Sequence, residues 1–73
     1  MTYENYKKTF RSWLSIAEQG DAKAQHLLGL MYNEGKGVPQ DYKEAVKWWR
    51  VAAEQGDEYA QRNLETMHGN SPN

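Results

Sequence analysis

Histidine and serine supply the side chains of this sequence that are best suited to metal binding and nucleophilic chemistry. His26 and His68 have no second metal ligand four residues away, the spacing that puts two ligands on one helix face. Ser12, Ser15 and Ser71 begin no Ser-x-x-Lys sequence and lie in no Gly-x-Ser-x-Gly setting. The chain has no cysteine, and therefore no thiolate. We predict surface or edge histidines, no metal, no cofactor and no enzymatic activity.

A glycine-bearing segment at residues 33–40 is the remaining place where a cofactor could bind. Its Gly35-Lys36-Gly37 sequence lacks the longer glycine spacing, the following Lys-Ser/Thr and the preceding strand of a phosphate-binding loop. Two glycines that can take positive φ and the proline after Val38 instead predict an irregular connection between structural units. This segment therefore gives no reason to expect a nucleotide.

Length and charge limit the class of protein further. The 73 residues make at most one small domain, and the net charge of -1 gives no general attraction to nucleic acid or to an anionic membrane. No apolar run approaches the length of a membrane span, and the first eight residues have no apolar core of the secretory type. We expect a soluble, cytoplasmic protein without a nucleic-acid or membrane partner.

An internal repeat organises the elements of the chain. The five residues 17–21, Ala-Glu-Gln-Gly-Asp, return at 53–57, and an offset of 36 gives 12 identities between residues 6–32 and 42–68. Such a period is typical of helical solenoids, in which one unit cannot bury its apolar face alone.

Apolar spacings of three and four predict two helices, A and B, in each unit. The first A helix begins near Tyr6 and ends at Gly20, and Asp21 begins the first B helix. The second A helix begins at Asp41, which with Glu44 resembles a capping box, and it ends at Gly56. The predicted fold is all-α, with two antiparallel helix-turn-helix hairpins stacked as a short solenoid. We expect residues 1–68 to form one domain and residues 69–73 a flexible tail.

A spaced pattern of small, aromatic and turn-forming residues runs from residue 24 to residue 56. It consists of Ala24, Leu28, Gly29, Tyr32, Gly35, Gly37, Val38, Asp41, Ala45, Trp48, Trp49, Ala52, Ala53, Gln55 and Gly56. This pattern resembles the Sel-one-like repeat, a relative of the tetratricopeptide repeat, and the resemblance covers roughly residues 6 to 68. The resemblance implies a right-handed superhelix of α-hairpins that acts as an interaction scaffold and does not usually catalyse a reaction.

The two copies differ at positions that predict how the units stack. Gly29 lies inside a helix, where glycine is unfavourable, so we expect it to admit the next A helix at close range. Its counterpart is Glu65, and the last helix is more polar than the first B helix, as a terminal cap should be. Ser12 likewise stands where the second unit has Trp48. These differences predict a protein of two units with two true ends.

Aromatic residues are the main candidates for the core. By spacing we expect Tyr6, Phe10, Trp13, Tyr42 and Trp49 to be buried. Trp48, at the edge of the apolar stripe, leaves two interpretations open. It can pack against the preceding B helix, or it can anchor a partner, since exposed aromatic margins often do so.

Basic residues share one sector of the two A helices, and we call Lys7, Arg11, Lys43, Lys47 and Arg50 the basic stripe. The stripe can be a solvated face or a surface for an acidic peptide or protein. Leu14 stands where the second unit has Arg50 and adds an apolar residue beside it. The predicted partner-binding residues are Lys7, Arg11, Leu14, Lys43, Lys47, Trp48 and Arg50.

Three functions remain open at this point. The favoured one is a non-enzymatic module that binds a protein or peptide through its A helices. The second is a structural unit that completes its core as a homodimer, because two hairpins are fewer than solenoids usually need. The third is a hydrolase like the cysteine-rich relatives of the family, which the missing cysteines and acylation motif argue against.

Overall fold

The computed structural model describes residues 3–69, with side chains described for residues 4–66. Four α-helices, α1 (Tyr3–Glu18), α2 (Ala22–Glu34), α3 (Tyr42–Glu54) and α4 (Glu58–Gly69), follow one another, and this part of the chain contains no strand. The predicted all-α fold of two hairpins is confirmed. Of the predicted tail, residue 69 ends α4 and residues 70–73 lie outside the described residues, as does the side chain of His68.

The repeated five-residue segment forms the turn within each hairpin. Gly20 and Gly56 have φ values of +102° and +93°, a region that side-chain-bearing residues rarely enter. The following aspartates cap the next helix, because Asp21 Oδ1 accepts from the Ala24 N–H at 2.8 Å. Asp57 Oδ1 makes the same bond, also at 2.8 Å, to the Ala60 N–H. The predicted helix end, turn and cap are therefore confirmed in both copies.

The start of α3 differs from the predicted capping box. Asp41 Oδ1 accepts from the N–H groups of Lys43 and Glu44 at 3.0 and 3.1 Å, as an N-cap should. The Asp41 N–H, however, donates to the Tyr32 carbonyl at 2.9 Å, so Glu44 is not needed as its acceptor. Glu44 pairs with Lys47 instead, at 3.5 Å. Asp41 is therefore the N-cap, but Glu44 does not complete a capping box, because the Tyr32 carbonyl already accepts from the Asp41 N–H.

Two clusters of buried residues form the core, the first between α1 and α2 and the second between α3 and α4. α2 packs against both α1 and α3, and α4 packs against α3. Tyr32 contacts both clusters and meets the Phe10 ring edge to face, with centroids 5.4 Å apart. The first cluster consists of Phe10, Ala17, Ala24, Leu28 and Met31. The second consists of Ala45, Trp49, Ala52 and Ala60.

The loop between the hairpins folds back over the start of α1. Gly37 has φ +79°, and a Cβ built on it would lie 2.5 Å from the Tyr6 carbonyl oxygen, so only glycine fits this approach. Lys36 Nζ lies 5.6 Å from the centre of the Tyr6 ring. The loop thus covers part of α1 and leads the chain into α3.

The predicted aromatic core is only partly right. Phe10 and Trp49 are buried, and Tyr6 and Trp13 are half-buried. Tyr42 is 56% exposed, so the prediction that it is buried is wrong. Its counterpart Tyr6 is covered by the inter-hairpin loop, and the described residues contain no matching loop after α4.

Candidate protein-interaction surface

The joint between the hairpins depends on a glycine in α2. A Cβ on Gly29 would overlap the indole ring of Trp49, which is 2% exposed. Trp49 Nε1 also donates to the carbonyl oxygen of His26 at 3.1 Å. The prediction that Gly29 admits the next A helix at close range is therefore confirmed.

A buried glutamine connects three helices at the same joint. Gln25 is 3% exposed; its Nε2 donates to the Ala17 carbonyl at 3.1 Å, and its Oε1 accepts from Gln55 Nε2 at 2.7 Å. Gln61 repeats the first of these bonds with the Ala53 carbonyl at 3.2 Å. Sequence reasoning assigned no role to this pair, although Gln25 and Gln61 are among the identities between the copies.

His26 is half-buried in the joint rather than on the surface. Its Nδ1 lies 2.8 Å from Asp57 Oδ2, and its ring stacks on Tyr59 with centroids 4.5 Å apart. The counterpart of His26 is Arg62, so this contact occurs once in the described chain. Nothing in the spacing of the histidines indicated it, because the two residues are brought together by the stacking of the hairpins.

Asp57 consequently has two roles, as the cap of α4 and as the partner of His26. Burial of its carboxylate acts to raise the pKa of Asp57. The hydrogen bonds from His26 and from the Ala60 N–H outweigh burial, so the pKa lies below its usual value. The carboxylate is therefore ionised at neutral pH and accepts from both donors.

The seven predicted partner-binding residues fall into two groups by exposure. Lys7, Leu14 and Trp48 are half-buried. Leu14 and Trp48 both pack against the first core cluster, which is the intramolecular contact expected for Trp48 as one of its two interpretations. The exposed residues of the set are Arg11, Lys43, Lys47 and Arg50.

The exposed cations of α3 lie opposite its packed side. At about 100° per residue, Lys43, Lys47 and Arg50 fall away from the buried Ala45 and Trp49. Lys47 forms an ion pair with Glu44, whereas Lys43 and Arg50 take part in none of the three ion pairs formed between described residues. The stripe on α3 therefore presents two cations that belong to no ion pair between described residues.

The structure gives no support to a metal site or a membrane span. The described residues contain no group of three or more His, Asp or Glu side chains that could hold a metal ion. No helix within them has the length and apolar character needed to cross a bilayer.

Two antiparallel α-hairpins joined through a glycine notch define a helical-repeat protein of the short solenoid type. The sequence model of the Sel1 repeat family matches residues 22–57, so the chain contains a Sel1 repeat and the resemblance of its sequence is confirmed. Sel1 repeats typically mediate protein–protein interactions.

A solved structure agrees with this assignment. The crystal structure of a Sel1 repeat protein from Oxalobacter formigenes superposes with a TM-score of 0.78 and 45% sequence identity. The match covers 80% of this chain and 24% of that protein, so the chain spans about a quarter of its relative's length. None of the curated proteins matches the chain.

Proposed function

We propose that the chain is a non-enzymatic interaction module that binds an acidic peptide or protein surface across its A helices. The observation that carries the proposal is the set of exposed cations on α1 and α3, of which Lys43 and Arg50 have no ion-pair partner among the described residues. Exposed cations attract an acidic partner and accelerate its encounter.

Apolar residues beside the cations support the same surface. Leu14 and Trp48 are half-buried and packed on the core, so they are held in place by the fold. Rigid aromatic and aliphatic groups at a margin lose little side-chain entropy when a partner covers them. The charges would steer the acidic partner, and these two side chains would contact its apolar atoms. A cytoplasmic location stays a prediction from the sequence.

Binding to a defined probe tests the proposal. A fluorescein-labelled peptide of ten glutamates would be titrated with the wild-type chain and with Arg11→Glu/Lys47→Glu, and fluorescence anisotropy would be followed. We expect wild-type binding that weakens with added salt, and at least about a tenfold loss in the variant, because two attractions become repulsions.

A matched reversal away from the stripe provides the control. Lys23→Glu/Lys36→Glu changes the net charge by the same amount at two exposed positions on α2 and the loop. This variant should lose much less affinity. Equal losses in both variants, or no binding by the wild type, would contradict a binding surface on the A helices.

A further inference from the structure

The outer side of α4 corresponds to the side of α2 that holds α3. Residues 58, 61, 62 and 65 are the counterparts of residues 22, 25, 26 and 29, and three of the latter form the joint through Gln55, Asp57 and Trp49. On α4 this side is an open, shallow groove of about 260 Å³ lined by Glu58, Gln61, Arg62 and Glu65. It is the place where another helix would pack on this hairpin.

Glu65 excludes a helix packed in the way that α3 packs on α2. At the corresponding place in α2 the Trp49 indole occupies the space that even a Cβ on Gly29 would fill. A glutamate there leaves no room for an indole and would bury a carboxylate without a partner. The α1 helix of a second copy, which carries Trp13 at the position of Trp49, therefore cannot continue the solenoid across α4.

Two cations of α3, Lys43 and Arg50, are the counterparts of Lys7 and Leu14 in the first hairpin. Lys7 and Leu14 are half-buried: the loop residue Gly37 lies close to the Lys7 backbone nitrogen, and Leu14 packs on the first core cluster, as Trp48 of α3 does. The repeat therefore puts Lys43 and Arg50 on the side of the second hairpin that carries this groove. Lys43 and Arg50 are exposed. We call Lys43, Arg50, Glu58, Gln61, Arg62 and Glu65 the end face.

The end face carries two cations on α3 and two carboxylates on α4, and the two members of each pair are the same number of residues apart. Lys43 and Arg50 are seven residues apart on α3, and Glu58 and Glu65 are seven residues apart on α4. None of these four side chains belongs to an ion pair between described residues. Seven residues are two helical turns, so each pair presents two like charges about 10 Å apart on one side of its helix.

We propose that two copies of the chain associate through this face about a twofold axis parallel to the helices. Such an axis places α3 of one copy antiparallel to α4 of the other, because α3 and α4 are antiparallel within each copy. Lys43 then faces Glu65 of the second copy, and Arg50 faces Glu58. The symmetry makes both contacts twice, and Arg62 lies between the two acidic positions.

This pairing rests on the proposed function, because it uses two cations of the basic stripe and names an acidic surface that they bind. It leaves Arg11, which lies on α1, outside the contact. The interface is polar and small, so we expect weak, salt-sensitive dimerisation.

A charge-swap experiment by sedimentation equilibrium tests the pairing, at protein concentrations up to about 1 mM where weak polar interfaces associate. Glu58→Lys/Glu65→Lys makes the end face basic throughout, and Lys43→Glu/Arg50→Glu makes it acidic. We expect the wild type to form dimers that dissociate as salt is raised, and each variant alone to be monomeric. An equimolar mixture of the two variants should form a heterodimer.

Three results would each overturn the proposal. The wild type could be monomeric at every concentration, Glu58→Lys/Glu65→Lys could dimerise like the wild type, or the mixture of the two variants could stay monomeric. Arg11→Glu is the control, because Arg11 lies on α1, and it should dimerise normally. If Arg11→Glu weakens glutamate-peptide binding while the mixture fails to associate, the dimer is rejected and the proposed function stands.

Discussion

The indole of Trp49 lies directly against the backbone of Gly29, and its Nε1 donates to the carbonyl oxygen of His26. This relationship is the closest packing contact described between the hairpins, since α2 contributes the glycine notch and α3 the ring that fills it. The stability of the chain should therefore depend on Gly29 and Trp49 more than on their counterparts in the repeat, Glu65 and Trp13.

Gly29→Ala should destabilise the protein by about 1 to 3 kcal/mol, because the new Cβ overlaps the Trp49 ring and forces the helices apart. The higher helix propensity of alanine offsets about 1 kcal/mol of this cost. Urea unfolding followed by far-UV circular dichroism measures the difference. Glu65→Ala is the control and should be close to neutral; similar losses at the two positions would contradict the notch.

Trp49→Phe should cost about 2 to 4 kcal/mol, since it removes the bond to the His26 carbonyl and leaves a cavity in a buried site. The same substitution at Trp13, the half-buried counterpart of Trp49 in the first repeat unit, should cost less. Thermal unfolding of both variants provides the comparison. A Trp13→Phe variant that is the less stable of the two would be inconsistent with this account.

Gln25→Ala should destabilise by about 1 to 3 kcal/mol, because it leaves the Ala17 carbonyl and the Gln55 side chain without their buried partner. Gln61→Ala removes the equivalent bond at an exposed position and should cost less than about 1 kcal/mol. Denaturant unfolding of the two variants tests whether burial accounts for the difference. Equal effects would show that it does not.

The pair of Asp57 and His26 should make stability depend on acid pH. The folded-state pKa of Asp57 is lowered, so its contribution is fully present above the unfolded value of about 3.9 and is lost as the pH falls through the folded value. Asp57→Asn should therefore show a shallower loss of unfolding free energy between about pH 5 and pH 2 than the wild type.

A second cap provides the control for this pH dependence. Asp21 caps α2 in the same way, but among the ion pairs between described residues none joins Asp21 to a histidine. Asp21→Asn should keep the steeper acid dependence of the wild type. A steep dependence that persists in Asp57→Asn would mean that other groups cause it.

The hairpins could be predicted from sequence because their determinants are local. Gly20 and Asp21 end one helix and cap the next within two residues, and the same pair recurs at 56 and 57. Gly29 was informative for a similar reason, since a glycine inside a helix has few purposes other than close approach.

The contacts between hairpins could not be predicted in the same way. His26 reaches Asp57 only because of how far one hairpin is rotated on the other, which no spacing within a helix encodes. The exposure of Tyr42 shows the same limit. Tyr42 and Tyr6 occupy matching helical positions, and their exposure differs because the inter-hairpin loop covers only Tyr6. The basic stripe was visible as a pattern, but which of its members are exposed depends on that packing.

Amide chemical shifts recorded during a titration with the glutamate peptide test the proposed binding surface most directly. The account predicts that the largest shift changes fall on the exposed stripe residues Arg11, Lys43, Lys47 and Arg50 and on their neighbours in α1 and α3. Changes confined to α2 and α4, or an unchanged spectrum at saturating peptide, would contradict it.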